Sequence, residues 1–280
     1  MPSELRRLAD NLVRGAFLEL YLTPKPGLVD LNDAGSHHDL SISRMEASLE
    51  VLSGYLCRLA ESLARGEELS AQVRLGVEAE QAMLERAGTN CHKGYIFLSG
   101  LLLAAAARSH GAGEAALSAA VTDVAACIFD RTQQGDSNGS RACNSYHARG
   151  IRGEALDGLP ALFREALPAF RRELAVGNRG SAVYAMLGRL MATVEDTTAL
   201  HRCGRDGLAT VKEDGRALER LVEQRDDFMS FLSERNEHYV SRNLTMGGVA
   251  DLLALSFAWL SHTGELEPAP RSRRCLTMAG

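Results

Sequence analysis

The sequence has no apolar run long enough to span a bilayer. Its most apolar stretch, Ile96 to Ala107, falls well short of the ~20 residues that a transmembrane helix needs, and no secretory signal is recognisable. The six cysteines are scattered without a C-x-x-C pair, which argues against a disulfide framework and against a cysteine metal site. We therefore expect a cytoplasmic protein with reduced thiols and no membrane partner.

Blocks of charge of one sign are also missing. The 31 Lys and Arg residues are interspersed with 36 Asp and Glu residues, which leaves a net charge of −5. Proteins that bind nucleic acid or anionic membranes usually present a basic patch, so we expect neither partner. An anionic ligand would have to be bound by local basic groups.

Signs of β-structure and of sequence repeats are absent as well. The apolar residues recur every three or four positions, which predicts successive amphipathic helices. Since 280 residues with 45% hydrophobic content bury a large core, we expect an all-α fold with its chemistry in the inter-helix loops. One large bundle-like domain is expected over residues 1–264 and a mobile tail over 265–280. The predicted helices cover residues 4–22, 40–64, 68–87, 95–108, 114–131, 159–174, 178–192, 207–238 and 249–262.

The connection Thr23–Asp39, TPKPGLVDLNDAGSHHD, is the richest in chemistry. It contains two prolines, two glycines, one lysine, two adjacent histidines and three aspartates. The prolines hold Lys25 between two fixed φ angles, so the loop positions charged groups at little entropic cost. A structural elbow with solvated charges is the ordinary alternative, but the adjacent histidines, followed by Asp39, favour a functional role.

A second loop, Thr89–Gly94 (TNCHKG), brings Asn90, His92 and Lys93 to the start of the buried helix predicted over 95–108. A helix N-terminus presents free N–H groups and a partial positive charge, so this loop predicts an anion site. A simple N-cap at the start of the loop would explain only one of its residues.

Two further loops carry arginine and glycine. In Arg149–Gly158, Arg152 and Glu154 flank a glycine, and the arginine either binds phosphate oxygens or pairs with the glutamate. In Arg242–Asp251, a Gly-Gly pair precedes the last apolar helix. Close backbone approach to a phosphate and ordinary helix termination are both open for that pair.

The segment Glu195–Gly204, EDTTALHRCG, begins with adjacent carboxylates, Glu195 and Asp196. Hard oxygen ligands of this kind suit Mg²⁺, and neighbouring buried carboxylates need a cation or an arginine to stay ionised. His201 is a candidate base, although a helical histidine is more often a structural partner. Together the loops of this acidic chain predict a site for a polyphosphate and its metal ion.

Five segments, in this order and at this spacing, also carry a family resemblance. The chain resembles the triphosphoribosyl-dephospho-CoA synthase family over roughly residues 10–260, and the first two segments together are specific. The segments are TPKPGLVDLNDAGSHHD, TNCHKGYIFLSGLLLAA, RGIRGEALDGLP, EDTTALHRCG and RNLTMGGVADLLALS.

The resemblance implies a transferase that acts on ATP and 3′-dephospho-CoA. Such an enzyme releases adenine and joins the 5-triphosphoribosyl group of ATP to the 2′-hydroxyl of dephospho-CoA. The product is the prosthetic-group precursor for the acyl carrier protein of citrate lyase or malonate decarboxylase, and it would pass to a prosthetic-group transferase. Mg²⁺ is expected with ATP. Which system is served, and whether the chain forms a homo-oligomer, stay open.

The implied reaction assigns roles to loop residues. His38 and Asp39 are expected near the reacting ribose, as base and orienter or metal ligand, and His201 is a second candidate base. His92 and Lys93 are expected on triphosphate oxygens. The expected metal ligands are Glu195 and Asp196, and the expected substrate-binding residues are Lys25, Asn90, His92, Lys93, Arg152, Glu154, Arg242, Asn243, Gly247 and Gly248.

The chain departs from the family pattern in two places. The last segment usually reads Ser-Pro-Gly-Gly, whereas this chain has Thr-Met-Gly-Gly over residues 245–248, and Tyr95 stands where a small residue is common. A transferase of this family with a different acceptor therefore stays open.

Two other classes of protein compete with the transferase. A helical metal-dependent phosphohydrolase of the histidine-aspartate type would use His38, Asp39, His92 and Asp196 as ligands and leave the glycosidic bond of ATP intact. It does not explain the lysines and glycines beside these groups. A non-catalytic assembly module would need an exposed apolar stripe rather than converging charged loops.

Overall fold

The computed structural model describes residues 2–109, 111, 113–131 and 138–266. All regular structure in these residues is helical, so the all-α prediction is confirmed. The α-helices are α1 (Pro2–Tyr21), α2 (Ile42–Ala64), α3 (Leu69–Ala87), α4 (Lys93–Ser109), α5 (Glu114–Arg131), α6 (Asn138–Tyr146), α7 (Gly150–Leu156), α8 (Leu167–Val176), α9 (Arg179–Thr193), α10 (Thr197–Gln224), α11 (Phe228–Ser241) and α12 (Gly247–His262). A π-helical segment, Ala161–Ala166, leads directly into α8.

Helices α4 and α12 form the centre of the bundle. Side chains from Tyr95 to Ala105 are nearly all buried, as are those from Leu252 to Ser261, because both helices are apolar on almost every face. Helix α1 packs along α12, α2 contacts α1 and α4, and α9 contacts α12. One hydrophobic cluster therefore joins the first described helix to the last.

None of the described helices is by itself long and apolar enough to cross a bilayer. Helices α4 and α5 meet the criterion by length and composition only when they are taken together as a bent pair.

The close crossing of α1 and α12 depends on Gly15. A Cβ at this position would lie 2.3 Å from the Ala254 carbonyl oxygen and 2.7 Å from atoms of Ala258. We expect Gly15→Ala to lower the free energy of unfolding by about 1–3 kcal/mol, because the added methyl group forces the helices apart. Urea unfolding measures the change.

Gly54→Ala is the matched control for this substitution. Gly54 lies within α2, and a Cβ there would meet nothing within 4 Å. Helix propensity then gives a gain of up to about 1 kcal/mol. Equal effects of the two substitutions would show that the α1–α12 crossing tolerates a wider spacing.

The prediction of one helix over residues 207–238 was wrong, since the structure has two helices there. Arg225 adopts a left-handed conformation (φ 62°) that ends α10. The Asp227 side chain then accepts a hydrogen bond from the Ser230 backbone N–H and begins α11. Apolar spacing did not reveal this break, whereas the Asp-Asp pair before a new apolar run is a typical N-cap signal.

Helices α6 and α7 occupy a stretch that was predicted to be polar loop. Helix α6 packs against α10, and α7 contacts α5 and α4. Tertiary packing has overridden the weak helix propensity of this glycine-rich sequence. The segment 195–204 likewise belongs largely to α10, which begins at Thr197 and contains one non-helical residue, Gly204.

The described chain continues past the predicted domain boundary at residue 264. Glu265 accepts a hydrogen bond from Arg171 (Nε to Oε2, 2.7 Å), and Arg171 also binds Glu114. Residues 267–280 of the tail predicted over 265–280 lie outside the described residues, so the mobility of that part stays a prediction.

Candidate active site

The five segments singled out in the sequence all contribute to one cavity of about 830 Å³. Its walls come from the loop between α1 and α2, the start of α4, helix α7, and the starts of α10 and α12. This volume is typical of a small-molecule site. Ionisable residues in the lining include Lys93, Arg149, Arg202, Glu195 and Asp251.

His37, rather than His38, is the histidine that lines the cavity. Its Nε2 lies 3.1 Å from the Thr245 hydroxyl, and its Nδ1 accepts from the Arg202 guanidinium at 3.3 Å. Burial and the nearby Arg202 lower the pKa of His37 to about 4. His37 is therefore a neutral ring that positions an arginine, whereas the predicted base His38 is exposed and outside the cavity lining.

Arg202 is a cavity cation that the sequence did not predict. Its guanidinium donates to the Ser36 carbonyl at 2.6 Å and to the Asn243 side-chain oxygen at 2.7 Å. These partners and the His37 ring are all neutral, so the positive charge stays available for an anionic ligand. Its helical spacing from Thr198, four residues earlier, would have placed it beside the cavity if this segment had been assigned to a helix.

The start of α4 presents Asn90, His92 and Lys93 to the cavity, as the sequence predicts. The Lys93 ammonium lies 2.8 Å from a Glu80 carboxylate oxygen, which also accepts from the Asn90 side chain. His92 is only 5% exposed, and burial lowers its pKa to about 4. A neutral buried imidazole brings no positive charge to a phosphate, so His92 does not fit its expected role on triphosphate oxygens.

Asp251 is a second cavity residue that was not predicted from the sequence. It lies in the first turns of α12 against Gly94, where an added Cβ would come 2.0 Å from Asp251 Oδ2. Burial, together with the negative charges of Glu19 and Asp196, raises the pKa of Asp251 well above its usual range. The available signal was a lone carboxylate within an otherwise apolar helix, VADLLALS.

Lys25 does not line the cavity but binds a residue that does. It is 1% exposed, and its ammonium lies 2.6 Å from the Glu19 carboxylate while also binding the Glu19 carbonyl oxygen. Its backbone N–H donates to Asp30 at 2.9 Å. The lysine therefore fixes Glu19, which lines the cavity, and does not itself reach a substrate there.

The adjacent carboxylates Glu195 and Asp196 point in different directions. Asp196 is fully buried and accepts hydrogen bonds from two backbone N–H groups in the first turn of α10 and from the Val249 N–H of α12. It joins two helix N-termini and does not line the cavity. Glu195 is exposed and does line it, accepting from the Arg149 backbone N–H at 3.0 Å. Among the described residues, no three His, Cys, Asp or Glu side chains are arranged to hold a metal ion.

Comparison with known proteins identifies the family of the chain. A family model described as ATP:dephospho-CoA triphosphoribosyl transferase matches residues 5–268. The chain belongs to this family. The predicted transferase is thereby confirmed over the competing classes of protein.

Curated relatives of this triphosphoribosyl transferase cover most of its length. A probable 2-(5″-triphosphoribosyl)-3′-dephosphocoenzyme-A synthase of Pseudomonas paraeruginosa is 36% identical over 264 residues, which are 88% of this chain and 87% of the relative. The 2-(5″-triphosphoribosyl)-3′-dephosphocoenzyme-A synthase of Pectobacterium atrosepticum is 35% identical over 259 residues, 87% of this chain and 84% of the relative. No solved structure matches the chain significantly.

The transferase brings only part of its predicted site to the cavity. The predicted residues that line it are Asp39, Asn90, His92, Lys93, Glu154, Glu195, Gly247 and Gly248. Those that lie elsewhere are Lys25, His38, Arg152, Asp196, His201, Arg242 and Asn243. Asn243 still contributes indirectly, because its side chain holds Arg202.

Arg149, rather than the predicted Arg152, lies at the cavity. Arg149 lines the cavity and pairs with Asp157, whereas the Arg152 guanidinium lies 4.4 Å from the centre of the Phe129 ring. Arg149 immediately precedes α7, whereas Arg152 lies within α7 and packs on Phe129 of α5. Glu154 lines the cavity, and burial raises its pKa.

His37 and His92 are expected to make a contribution to the stability of the transferase that is lost in acid. Unfolded histidines take up protons near pH 6.5, whereas these two retain their neutral form in the folded state down to about pH 4. At these two sites the unfolded state therefore binds more protons, so their contribution to the free energy of unfolding falls as pH drops from 6.5 to 4. The buried carboxyl of Asp251, whose pKa is raised, contributes in the opposite direction. Urea unfolding of the wild type and of His37→Gln at pH 7.5, 6 and 5 isolates the His37 contribution, because the stability of the wild type relative to the variant should fall as pH drops. An equally steep dependence in that variant would contradict the assignment to His37.

Proposed function

We propose that the cavity binds ATP and 3′-dephospho-CoA and transfers the 5-triphosphoribosyl group of ATP to the 2′-hydroxyl of dephospho-CoA. The observation that carries the proposal is the meeting of all five loop segments at one cavity, in a chain of this transferase family. In the balanced step, the bond from ribose C1′ to adenine N9 breaks and a bond from C1′ to the acceptor oxygen forms. The acceptor hydroxyl loses a proton, and the departing adenine gains one.

The cations of the cavity support binding of the triphosphate. Arg202 carries a charge that no carboxylate neutralises among its described partners, and its planar guanidinium suits two phosphate oxygens at once. Lys93 stands beside the start of α4. Gly247 and Gly248 begin α12 and line the cavity without side chains, so a phosphate can come close to the backbone there. The Val249 N–H of this helix is already bound by Asp196.

Asp251 supplies the proton that adenine needs in this proposal. Burial of the Asp251 carboxyl group, together with the nearby charges of Glu19 and Asp196, raises its pKa and favours its neutral form. Protonation of a purine nitrogen weakens the bond to C1′ and lets neutral adenine leave, as general acids do in glycoside cleavage. The oxocarbenium character that develops on the ribose is then stabilised by the remaining carboxylates of the cavity.

Asp39 is the carboxylate that we assign to the acceptor hydroxyl. It lines the cavity next to His37, whereas its sequence neighbour His38 does not. Glu195 would hold Mg²⁺ together with phosphate oxygens, because Mg²⁺ usually binds through one or two carboxylates plus substrate phosphates. The ion, when bound, would neutralise charge on the triphosphate. In this assignment Asp39 takes the proton of the acceptor hydroxyl and Glu195 would bind Mg²⁺.

The proposal extends to the partners of the reaction. The product would pass to a prosthetic-group transferase that modifies an acyl carrier protein of citrate lyase or malonate decarboxylase. We place the reaction in the cytoplasm, which the scattered cysteines without a C-x-x-C pair support. Light scattering would test whether the enzyme works as a homo-oligomer.

The phosphohydrolase alternative fits the cavity less well. Two of the four ligands that it requires, His38 and Asp196, do not line the cavity. Asp196 also uses its carboxylate oxygens on backbone N–H groups. A metal centre built from these four residues would require a different fold of the loops.

Chromatography with mass detection tests the proposed transfer. Purified protein is given ATP, Mg²⁺ and 3′-dephospho-CoA, and free adenine and the adduct are measured together. Adenine that appears only when both substrates are present supports the transfer, and CoA, whose 3′-phosphate sits beside the acceptor hydroxyl, tests the choice of acceptor. Release of ADP, AMP or phosphate with the adenine still attached would contradict the proposal.

A further inference from the structure

Two buried hydrogen-bond acceptors at the start of α4 have no partner. Among the described residues, neither the Asn90 Oδ1 atom nor the His92 Nε2 atom forms a hydrogen bond, although both atoms are inaccessible to solvent. Both residues line the cavity. Buried polar atoms in proteins are almost always paired, so two such atoms at one cavity call for a ligand group that pairs with them.

The tautomer of His92 follows from Ser48. The Ser48 hydroxyl donates its single proton to the Met45 carbonyl oxygen at 2.6 Å. Its 2.6 Å contact with His92 Nδ1 therefore requires the proton to be on Nδ1. His92 Nε2 then carries a lone pair. Because burial lowers the pKa of His92 to about 4, the ring stays neutral at physiological pH and Nε2 stays an acceptor.

The orientation of the Asn90 amide follows from Glu80. The Asn90 Nδ2 atom donates to a Glu80 carboxylate oxygen at 3.3 Å, and the Lys93 ammonium lies 2.8 Å from the same carboxylate oxygen. An ionised carboxylate only accepts hydrogen bonds, so Nδ2 must face Glu80. The opposite end of the amide, Oδ1, is thereby fixed as a second acceptor.

A group that satisfies both atoms must offer two donors. Phosphate oxygens offer none, since they are acceptors at neutral pH, and the same holds for carboxylates. A planar amino group offers two N–H bonds that diverge from one nitrogen. In ATP this group is the exocyclic 6-amino group of adenine.

We propose that His92 Nε2 and Asn90 Oδ1 bind the 6-amino group of adenine and thereby select ATP against purine triphosphates that carry a 6-oxo group. This inference rests on the proposed transfer from ATP and adds the part of the site that recognises the base. A 6-oxo group would bring a third acceptor against two buried acceptors. Sites built to pair with a substrate N–H reject analogues that lack it far more strongly than apolar pockets reject a change of size.

The test compares ATP with inosine triphosphate as triphosphoribosyl donor. We expect kcat/KM for ATP to exceed that for inosine triphosphate by at least ~100-fold in the wild-type enzyme. His92→Phe removes one acceptor and is expected to reduce this ratio at least ~10-fold. Ser48→Ala removes the contact that keeps the His92 proton on Nδ1. The proton can then lie on Nε2 and be donated to the 6-oxo group of inosine triphosphate, so the ratio should also fall.

Arg202→Ala is the control for this ratio, because the hydrogen bonds of Arg202 go to Ser36, Asn243 and His37 and not to Asn90 or His92. It removes a charge that we assign to the triphosphate, so it should lower kcat/KM for both nucleotides by the same factor and leave their ratio unchanged. A purely structural effect of His92→Phe would act in the same way, because it would weaken both nucleotides alike. Only the ratio therefore reports recognition of the base.

Equilibrium binding separates failure of this inference from failure of the proposed function. If the wild-type enzyme forms the adduct but uses both nucleotides equally, or if His92→Phe keeps the full ratio, recognition of the amino group is overturned and the transfer stands. If neither nucleotide yields adduct, the proposed transfer fails, and calorimetry with each nucleotide decides the inference. Tighter binding of ATP that His92→Phe abolishes would support it, and equal binding would overturn it.

Discussion

Asp251→Asn is expected to lower kcat for adduct formation by about 10²–10⁴-fold, the usual contribution of general acid catalysis. The substitution keeps the size and one hydrogen-bonding end of the side chain but cannot release a proton to departing adenine. KM for ATP should change little, because Asp251 acts on the bond that breaks rather than on the bound triphosphate. Initial rates of adenine release with saturating dephospho-CoA measure the effect.

The same substitution is expected to stabilise the folded protein at neutral pH. Because the pKa of Asp251 is raised by folding, the folded carboxyl holds a proton over a pH range in which the unfolded carboxyl has lost it. Stability therefore decreases as pH rises above the unfolded pKa near 3.9. Asparagine removes this penalty, so we expect a gain of about 1 kcal/mol at pH 7 that vanishes below pH 4.

Asp214→Asn is the control for Asp251. Asp214 is also a buried carboxyl whose pKa is raised by burial, but it does not line the cavity. It should leave turnover unchanged within about twofold, because Asp214 lies outside the cavity and has no role in the proposed reaction. The pH profile gives an independent readout, since the wild-type rate should decline at high pH as Asp251 ionises. Full turnover in Asp251→Asn, or an unchanged decline at high pH, would remove Asp251 from the proton-donor role.

The helices of this fold were predictable because their apolar residues repeat strongly. Helix α2 was expected over 40–64 and begins at Ile42, and the helix expected over 249–262 begins at Gly247. The errors fall where packing decides the conformation. Helix α7 is seven residues long with two glycines, and it forms because it is packed against α4 and α5. No local pattern contains that information.

The loops of the site were predictable, but the direction of each side chain was not. His37 and His38 are neighbours in sequence, and only the hydrogen bonds to Thr245 and Arg202 turn one of them to the cavity. Glu195 and Asp196 differ in the same way, because the Asp196 side chain caps the N-terminus of α10. Residue type indicates what chemistry a loop carries, whereas long-range partners decide which residue carries it.

Arg202→Ala is expected to lower kcat/KM for ATP by about 10²–10³-fold, the usual loss when one preorganised donor to a developing or bound anion is removed. The guanidinium is held by the Ser36 carbonyl, the Asn243 side chain and His37, so it is oriented before the substrate arrives. Arg202→Lys keeps the charge but loses the planar fork, and we expect it to recover only part of the loss.

Inhibition by tripolyphosphate distinguishes anion binding from a structural role of Arg202. If the guanidinium binds the triphosphate, tripolyphosphate should inhibit the wild-type enzyme competitively with ATP and inhibit Arg202→Ala at least ~10-fold more weakly. Arg205→Ala is the matched control, because Arg205 lies three residues further along α10, is exposed and does not line the cavity. It should change neither kcat/KM nor inhibition. The contrary outcome is that Arg202→Ala lowers turnover while tripolyphosphate inhibits the variant as strongly as the wild type. Arg202 would then act by holding the loop that contains Ser36. The triphosphate would in that case be bound by Lys93 and the start of α12.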